Sequence, residues 1–130
     1  MSTGRGLLDT SVFIARVDGR PADLSSLPDE LAVSIVTVGE LWAGVLAAHD
    51  TATRARRMRT ASDAAAVATI EIGVDVARTW AQLRVALRDT GRRMKVNDSW
   101  IAATAMALDV PVVTQDADFD DVPGLSVIRV

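Results

Sequence analysis

Asp9 is the one ionisable side chain in LLDTSVFIA, an otherwise apolar or small-polar run from Leu7 to Ala15. An unpaired carboxylate in such surroundings costs several kcal/mol or is forced to take up a proton. The pattern returns three times. Glu40 is the only charged residue from Leu31 to Ala48, Asp98 precedes the apolar SWIAATAMAL, and Asp116 comes two residues after VPVVT. Carboxylates packed within ~4 to 6 Å of each other raise one another's pKa and repel unless a cation intervenes. With no cysteine and a single histidine, His49, the chain lacks thiolate and has little imidazole chemistry, so hard oxygen donors dominate. That donor set selects Mg²⁺, with Mn²⁺ as a substitute.

Each acid also has a purely structural use. Asp9 can cap a helix, Asp98 can sit as a favourable anion at a helix N-terminus, and Asp116 can be a turn residue. Thr37 and Glu40 have the spacing of a capping box, which does not exclude a metal role for the same glutamate. On a helix Glu40 shares its face with Val36, Thr37, Ala43 and Gly44, so that face is expected to be covered.

The elements that must bring these four together are readable from pattern. RGLL at 5–8 reads as the end of a strand, and TSVFIARV as a helix capped by Asp9 or Thr10. LAVSIVT at 31–37 is β-branched and apolar, a buried strand running into the helix VGELWAGVLAA, with Glu40 in its first turn. A basic helix covers about 51–66. VATIEI at 67–72 is a further strand, and VDVARTWAQLRVALRDTG a helix stopped by Gly91. NDSWIAATAMALDV is a helix capped by Asn97 or Asp98. VPVVTQ at 110–115 is a strong strand, DADFDD a turn or short helix, and LSVIRV an edge strand.

Strands alternating with helices of this length predict an α/β fold, a three-layer α/β/α sandwich around a mostly parallel central sheet. In such folds ligands gather beyond the carboxyl ends of the strands. A parallel layout carries Asp9, Glu40, Asp98 and Asp116 to one rim.

At 130 residues the chain is read as one domain, residues 1–130. Hydrophobic residues make up 49% and aromatics only 4%, so the core must be built from Ala, Val, Leu and Ile. No apolar run approaches the ~18 residues of a membrane span, no secretory signal is visible, and a cytoplasmic location is expected. The net charge of −3 and pI near 5.0 argue against coating nucleic acid through bulk positive charge. Distribution matters more: eight of the fourteen basic residues fall in RARRMR at 54–59 and RDTGRRMK at 88–95. These windows are open to two readings, solvated helix faces or phosphate contacts.

The pieces LLDTSVFI, VSIVTVGELWAG, NDSWIAATA and VTQDADF resemble, in order and spacing, the motifs of PIN-domain ribonucleases, specifically the VapC-type toxins of toxin–antitoxin pairs. The resemblance runs from Leu7 to Val130. It implies an acidic catalytic site of Asp9, Glu40, Asp98 and Asp116, with metal on Asp9, Asp98 and Asp116 and Thr114 as a supporting hydroxyl. Asp118 can share or replace the role of Asp116, and Thr10 and Asn97 are expected to orient the carboxylates. It further implies cleavage of structured RNA such as tRNA or ribosomal RNA loops, pairing as a homodimer, and silencing by a small VapB-type antitoxin.

Metal-assisted phosphodiester hydrolysis fits this inventory. Water rather than the ribose 2′-hydroxyl attacks, giving 5′-phosphate and 3′-hydroxyl ends. A cation reverses the sign of the acidic rim, and Arg92, Arg93 and Lys95, just before Asp98, are the expected RNA contacts. Trp42 and Trp100 each lie two residues past a site carboxylate, an offset that points them away from the site. An aspartyl phosphatase would carry a second Asp two residues after Asp9, where this chain has Ser11.

Overall fold

The computed structural model describes residues 4–130. Five strands form one sheet in the order β3-β2-β1-β4-β5, where β1 is Arg5–Leu8, β2 Glu30–Ser34, β3 Ala68–Ile70, β4 Val112–Thr114 and β5 Val127–Arg129. Each of the four pairings is parallel, so the sheet is wholly rather than mostly parallel. Five helices lie between the strands: α1 Thr10–Val17, α2 Ile35–Leu46, α3 Thr51–Ala66, α4 Val74–Thr90 and α5 Val96–Leu108.

Alternation along each strand divides the core in two. Leu7 and Val112 face Leu83, Leu87 and Ile101 of α4 and α5. Their neighbours Leu8 and Val113 face Phe13, Leu41, Val45 and Ala61 of α1, α2 and α3. The predicted three-layer sandwich therefore stands, with small aliphatic side chains in both layers.

Strand order reverses at the centre. From β1 the chain moves to β2 and β3 on one side, then crosses to β4 and β5 on the other. The crevice beyond the carboxyl ends of β1 and β4 is thus the topological switch point, where open α/β sheets place their ligands. Leu8 pairs with Val113, and the Asp9 amide continues the ladder by donating to the Val113 carbonyl at 2.8 Å. Asp9 and Thr114 emerge side by side.

Four local expectations change. The strand expected over 31–37 ends at Ser34, because the Ser34 hydroxyl accepts from the Val36 amide and caps α2 there. Glu40 is consequently in the second turn of α2, not the first, and Thr37 is a buried helical residue, not the cap of a capping box. α5 begins at Val96, with Lys95 as its N-cap and no side-chain capping bond, so neither Asn97 nor Asp98 caps it. The strands over 67–72 and 110–115 shorten to three residues each, since β-branched runs outlast the neighbours available for pairing. Two expectations stand: Asp9 caps α1, and Gly91, at φ 71°, closes α4 in the left-handed conformation that glycine adopts without strain.

Candidate active site

Asp9 is 2% exposed. As the cap of α1 its Oδ2 accepts from the Ser11 amide at 3.2 Å and from the Thr114 hydroxyl at 3.0 Å. Ser11 Oγ lies 3.1 Å from Thr114 Oγ1 and accepts from the Gln115 amide, while Thr114 Oγ1 accepts from the Asp116 amide at 3.0 Å. This hydroxyl network ties the ends of β1 and β4 together and fixes the course of the chain through Asp116. On the other flank the Thr10 hydroxyl lies 3.0 Å from Thr37 Oγ1 and donates to Glu40 Oε1 at 2.7 Å.

One cavity of about 230 Å³ gathers these groups. Asp9, Glu40, Asp98, Asp116 and Asp118 all line it, with Thr10 and Ser11 at its base and Lys95 and Arg20 as its basic members. Lys95 Nζ reaches Asp118 at 3.8 Å. Among the described residues, no Lys, Arg or His lies within ion-pair distance of Asp9, Glu40, Asp98 or Asp116.

The electrostatics follow from burial without neutralisation. Desolvation raises the pKa of Asp9 above the ordinary carboxylate value, opposed by the donors on Ser11 and Thr114. The Asp98 carboxyl is pushed up to about 6, first by desolvation and then by the charges of Asp9, Asp118 and Glu40, with Lys95 pulling the other way. A cavity in which burial and neighbouring negative charge act together on Asp98 in this way is a place where a cation gains and an isolated anion loses.

The donors are hard oxygens, which fits Mg²⁺ or Mn²⁺. Among the described residues no three acidic or histidine side chains are drawn together tightly enough to ligate one ion directly. The set suits an ion that keeps several waters and takes one or two carboxylates directly, as Mg²⁺ does.

Other expected residues are placed as follows. Thr10 and Thr114 bond to site carboxylates. Asn97, expected to orient one of them, is exposed, and among the described residues its side chain makes no hydrogen bond to a carboxylate. As the second residue of α5 it points about 100° around the helix from Asp98. Arg92, expected to contact RNA, donates through Nη2 to the Asp118 carbonyl at 2.7 Å, fastening the acidic turn to the end of α4. Trp100 stacks on Trp80, with ring centroids 4.3 Å apart, and neither it nor Trp42 lines the cavity. Of the first basic window, Arg54 and Arg57 donate to the carbonyls of Ala48 and Gly44; these two serve α2 and the turn that follows it. Sequence reasoning missed Ser11 and Thr37, which link the network. For Ser11 the signal was the unbroken polar run Asp9-Thr10-Ser11; for Thr37 it was a lone hydroxyl three residues before Glu40 in an apolar stretch.

The PIN domain family model matches residues 6–125. Ribonuclease VapC5 of Mycobacterium tuberculosis (strain ATCC 25618 / H37Rv) is 47% identical over 128 residues, spanning 96% of this chain and 95% of that protein. Ribonuclease VapC4 of the same strain is 40% identical over 135 residues and covers 100% of both chains. Among solved structures, a member of the VapBC family of toxin–antitoxin systems, VapBC-5, from Mycobacterium tuberculosis superposes with a TM-score of 0.88 at 45% identity, covering 97% of this chain and 98% of that one.

Proposed function

The chain belongs to the PIN-domain family as a VapC-type ribonuclease toxin of a toxin–antitoxin pair, and from that premise we propose that Asp9, Asp98 and Asp116, directly or through bound waters, hold a divalent cation beside Glu40 at which structured RNA is hydrolysed. The observation that carries this is Asp9 itself: a carboxylate 2% exposed, at the switch point of the sheet, facing other acids and no cationic partner among the described residues.

Asp9, Asp98 and Asp116 are the residues that would hold Mg²⁺, or Mn²⁺ in its place. When bound, such an ion supplies Lewis-acid charge beside the scissile phosphate and makes water a competent nucleophile near neutral pH. The protein's own groups do the rest. Ser11 and Thr114 hold the Asp9 carboxylate in one orientation, and Thr10 holds Glu40. Glu40, half-buried on the cavity wall, would accept a proton from the attacking water. Asp118 is paired with Lys95 and lies at the rim, so Asp116, closer to the hydroxyl network, is the better ligand of the two.

Arg93 and Lys95, both exposed beside the acidic cavity, meet the flanking phosphates, while Arg92 holds the turn. The partner is a VapB-type antitoxin. We further assign the substrate to tRNA or ribosomal RNA loops and the active form to a homodimer, with the exposed apolar Ile35, Trp42 and Leu46 of α2 as surface that a protein partner covers. No helix among the described residues is long and apolar enough to cross a membrane.

The test is Mg²⁺- or Mn²⁺-dependent cleavage of a total RNA pool by the purified chain beside Asp9→Asn and Asp98→Asn, with fragment ends mapped. Each variant is expected to lose at least about 100-fold in rate while keeping its circular dichroism, and products carry 5′-phosphates. Equal cutting by the variants rejects the site, and cutting that survives EDTA rejects the metal.

A further inference from the structure

Beyond the acidic cavity a second, basic space opens along α4. A cavity of about 290 Å³ is lined by Arg84, Arg88, Arg92 and Arg93, with no carboxylate in its wall. It meets a smaller cavity of about 230 Å³ at Arg92, Arg93 and Met94, and that one in turn shares Lys95, Asp98 and Asp118 with the acidic centre. The three form one groove whose charge changes sign along its length.

The basic end is built rather than incidental. Arg84 and Arg88 are one turn apart on α4, about 6 Å along its axis. The Arg84 guanidinium sits 5.2 Å from the centroid of Trp80, and Trp80 is stacked on Trp100 and donates through Nε1 to Ser99 Oγ at 3.0 Å. Ser99 follows Asp98 directly, so the aromatic pair fixes the arginine face of α4 relative to the acid on α5. Arg92, at the junction, has its Nε buried without a hydrogen-bond partner. Among the described residues the Arg88 side chain pairs only with its exposed neighbour Asp89, at 3.4 Å, an ion pair that water and salt weaken. Guanidinium groups in a row with no acid opposite them are suited to the oxygens of successive phosphates.

We propose that this groove binds the phosphodiester backbone of the RNA strand on one side of the scissile bond, with Arg84 and Arg88 contacting phosphates beyond those met by Arg93 and Lys95. This rests on the nuclease reading of the acidic cavity and deepens it: efficient binding requires a strand that extends past the cleavage point along α4. An acidic segment of a protein partner is the competing occupant. A strand running on from the active centre is favoured because the groove is continuous with that centre.

The experiment uses a fluorescein-labelled single-stranded oligoribonucleotide of about 12 nucleotides, titrated by anisotropy over a salt series in Ca²⁺ without Mg²⁺. The native chain is compared with Arg84→Ala/Arg88→Ala and with Arg56→Ala/Arg59→Ala, which removes the same charge from α3. The α4 variant is expected to bind about 5- to 10-fold more weakly, with the slope of log K against log salt reduced by about 1.4 for two lost phosphate contacts. The α3 variant should shift by less than about twofold. Unchanged affinity and slope in the α4 variant, or an equal loss in both variants, overturns the proposal. So does unaltered RNA binding with weakened binding of the cognate antitoxin, which gives the groove to the partner. Native cleavage of the same oligonucleotide in Mg²⁺ is scored separately: cutting without an α4 effect fails the groove and leaves the acidic site standing, whereas an α4 effect without cutting does the reverse.

Discussion

The Thr10 hydroxyl donates to Glu40 Oε1 at 2.7 Å across thirty positions of sequence, and so locks the first residue of α1 to the second turn of α2. Thr10 also meets the fully buried Thr37. Thr10→Val keeps the shape and removes the donor, leaving two buried or half-buried oxygens short of a partner, a loss of about 1 to 3 kcal/mol. A lower Tm and about a tenfold drop in kcat/KM are expected, with Thr10→Ser close to native in both. Native-like kinetics in Thr10→Val would remove the orienting role.

Thr114 donates to Asp9 and thereby opposes the desolvation that raises its pKa. Thr114→Val takes that donor away, so the Asp9 carboxyl rises further. The acid limb of the rate profile should move to higher pH, with Thr114→Ser unmoved. A pH–rate series on the three proteins checks this.

Acidification should stabilise the metal-free protein over a defined window. The Asp98 carboxyl rises from 3.8 to about 6 on folding, so its ionised form is disfavoured in the folded state. Its favourable contribution is complete below the unfolded value and is lost as pH rises through about 6. Tm in EDTA should therefore fall between pH 5 and 7 by more in the native chain than in Asp98→Asn. The difference is at most about 1 kcal/mol, since part of the loss already lies below pH 5 and solvent damps the effect at the half-exposed Asp98. Added Mg²⁺ should raise Tm more at pH 7.5 than at pH 5.5, because the ion competes with those protons.

The Arg57 guanidinium donates to the Gly44 carbonyl at 2.8 Å, in the last turn of α2. Arg57→Ala is expected to cost about 0.5 to 1.5 kcal/mol, read as a lower midpoint in urea with an unchanged slope. An unaltered midpoint would free Arg57 for another role.

Periodicity and the isolated acids made the sandwich legible, because Leu7-Leu8 and Val112-Val113 each supply one side chain to either face of a buried sheet. The strand-end position of Asp9 was legible for the same reason. The end of β2 was not: Ile35, Val36 and Thr37 favour strand by type, and a single hydroxyl on Ser34 turns them into helix. A local cap overrode the strand preference of these residue types there. The start of α5 misled in the opposite sense, since Asn97 and Asp98 look like caps while the helix opens on Lys95 without one. Arg92 illustrates a limit of charge patterning: its window is basic, yet its guanidinium is spent on a carbonyl 26 residues away, a pairing that no local spacing reveals.

Direct Mn²⁺ binding tests the central claim without any RNA. Calorimetric titration at pH 7.5 should give a bound ion on the native chain, and affinity weaker by about 10- to 100-fold in Asp9→Asn and Asp98→Asn, all three with the same circular dichroism. Equal Mn²⁺ affinity in the three proteins would contradict the account.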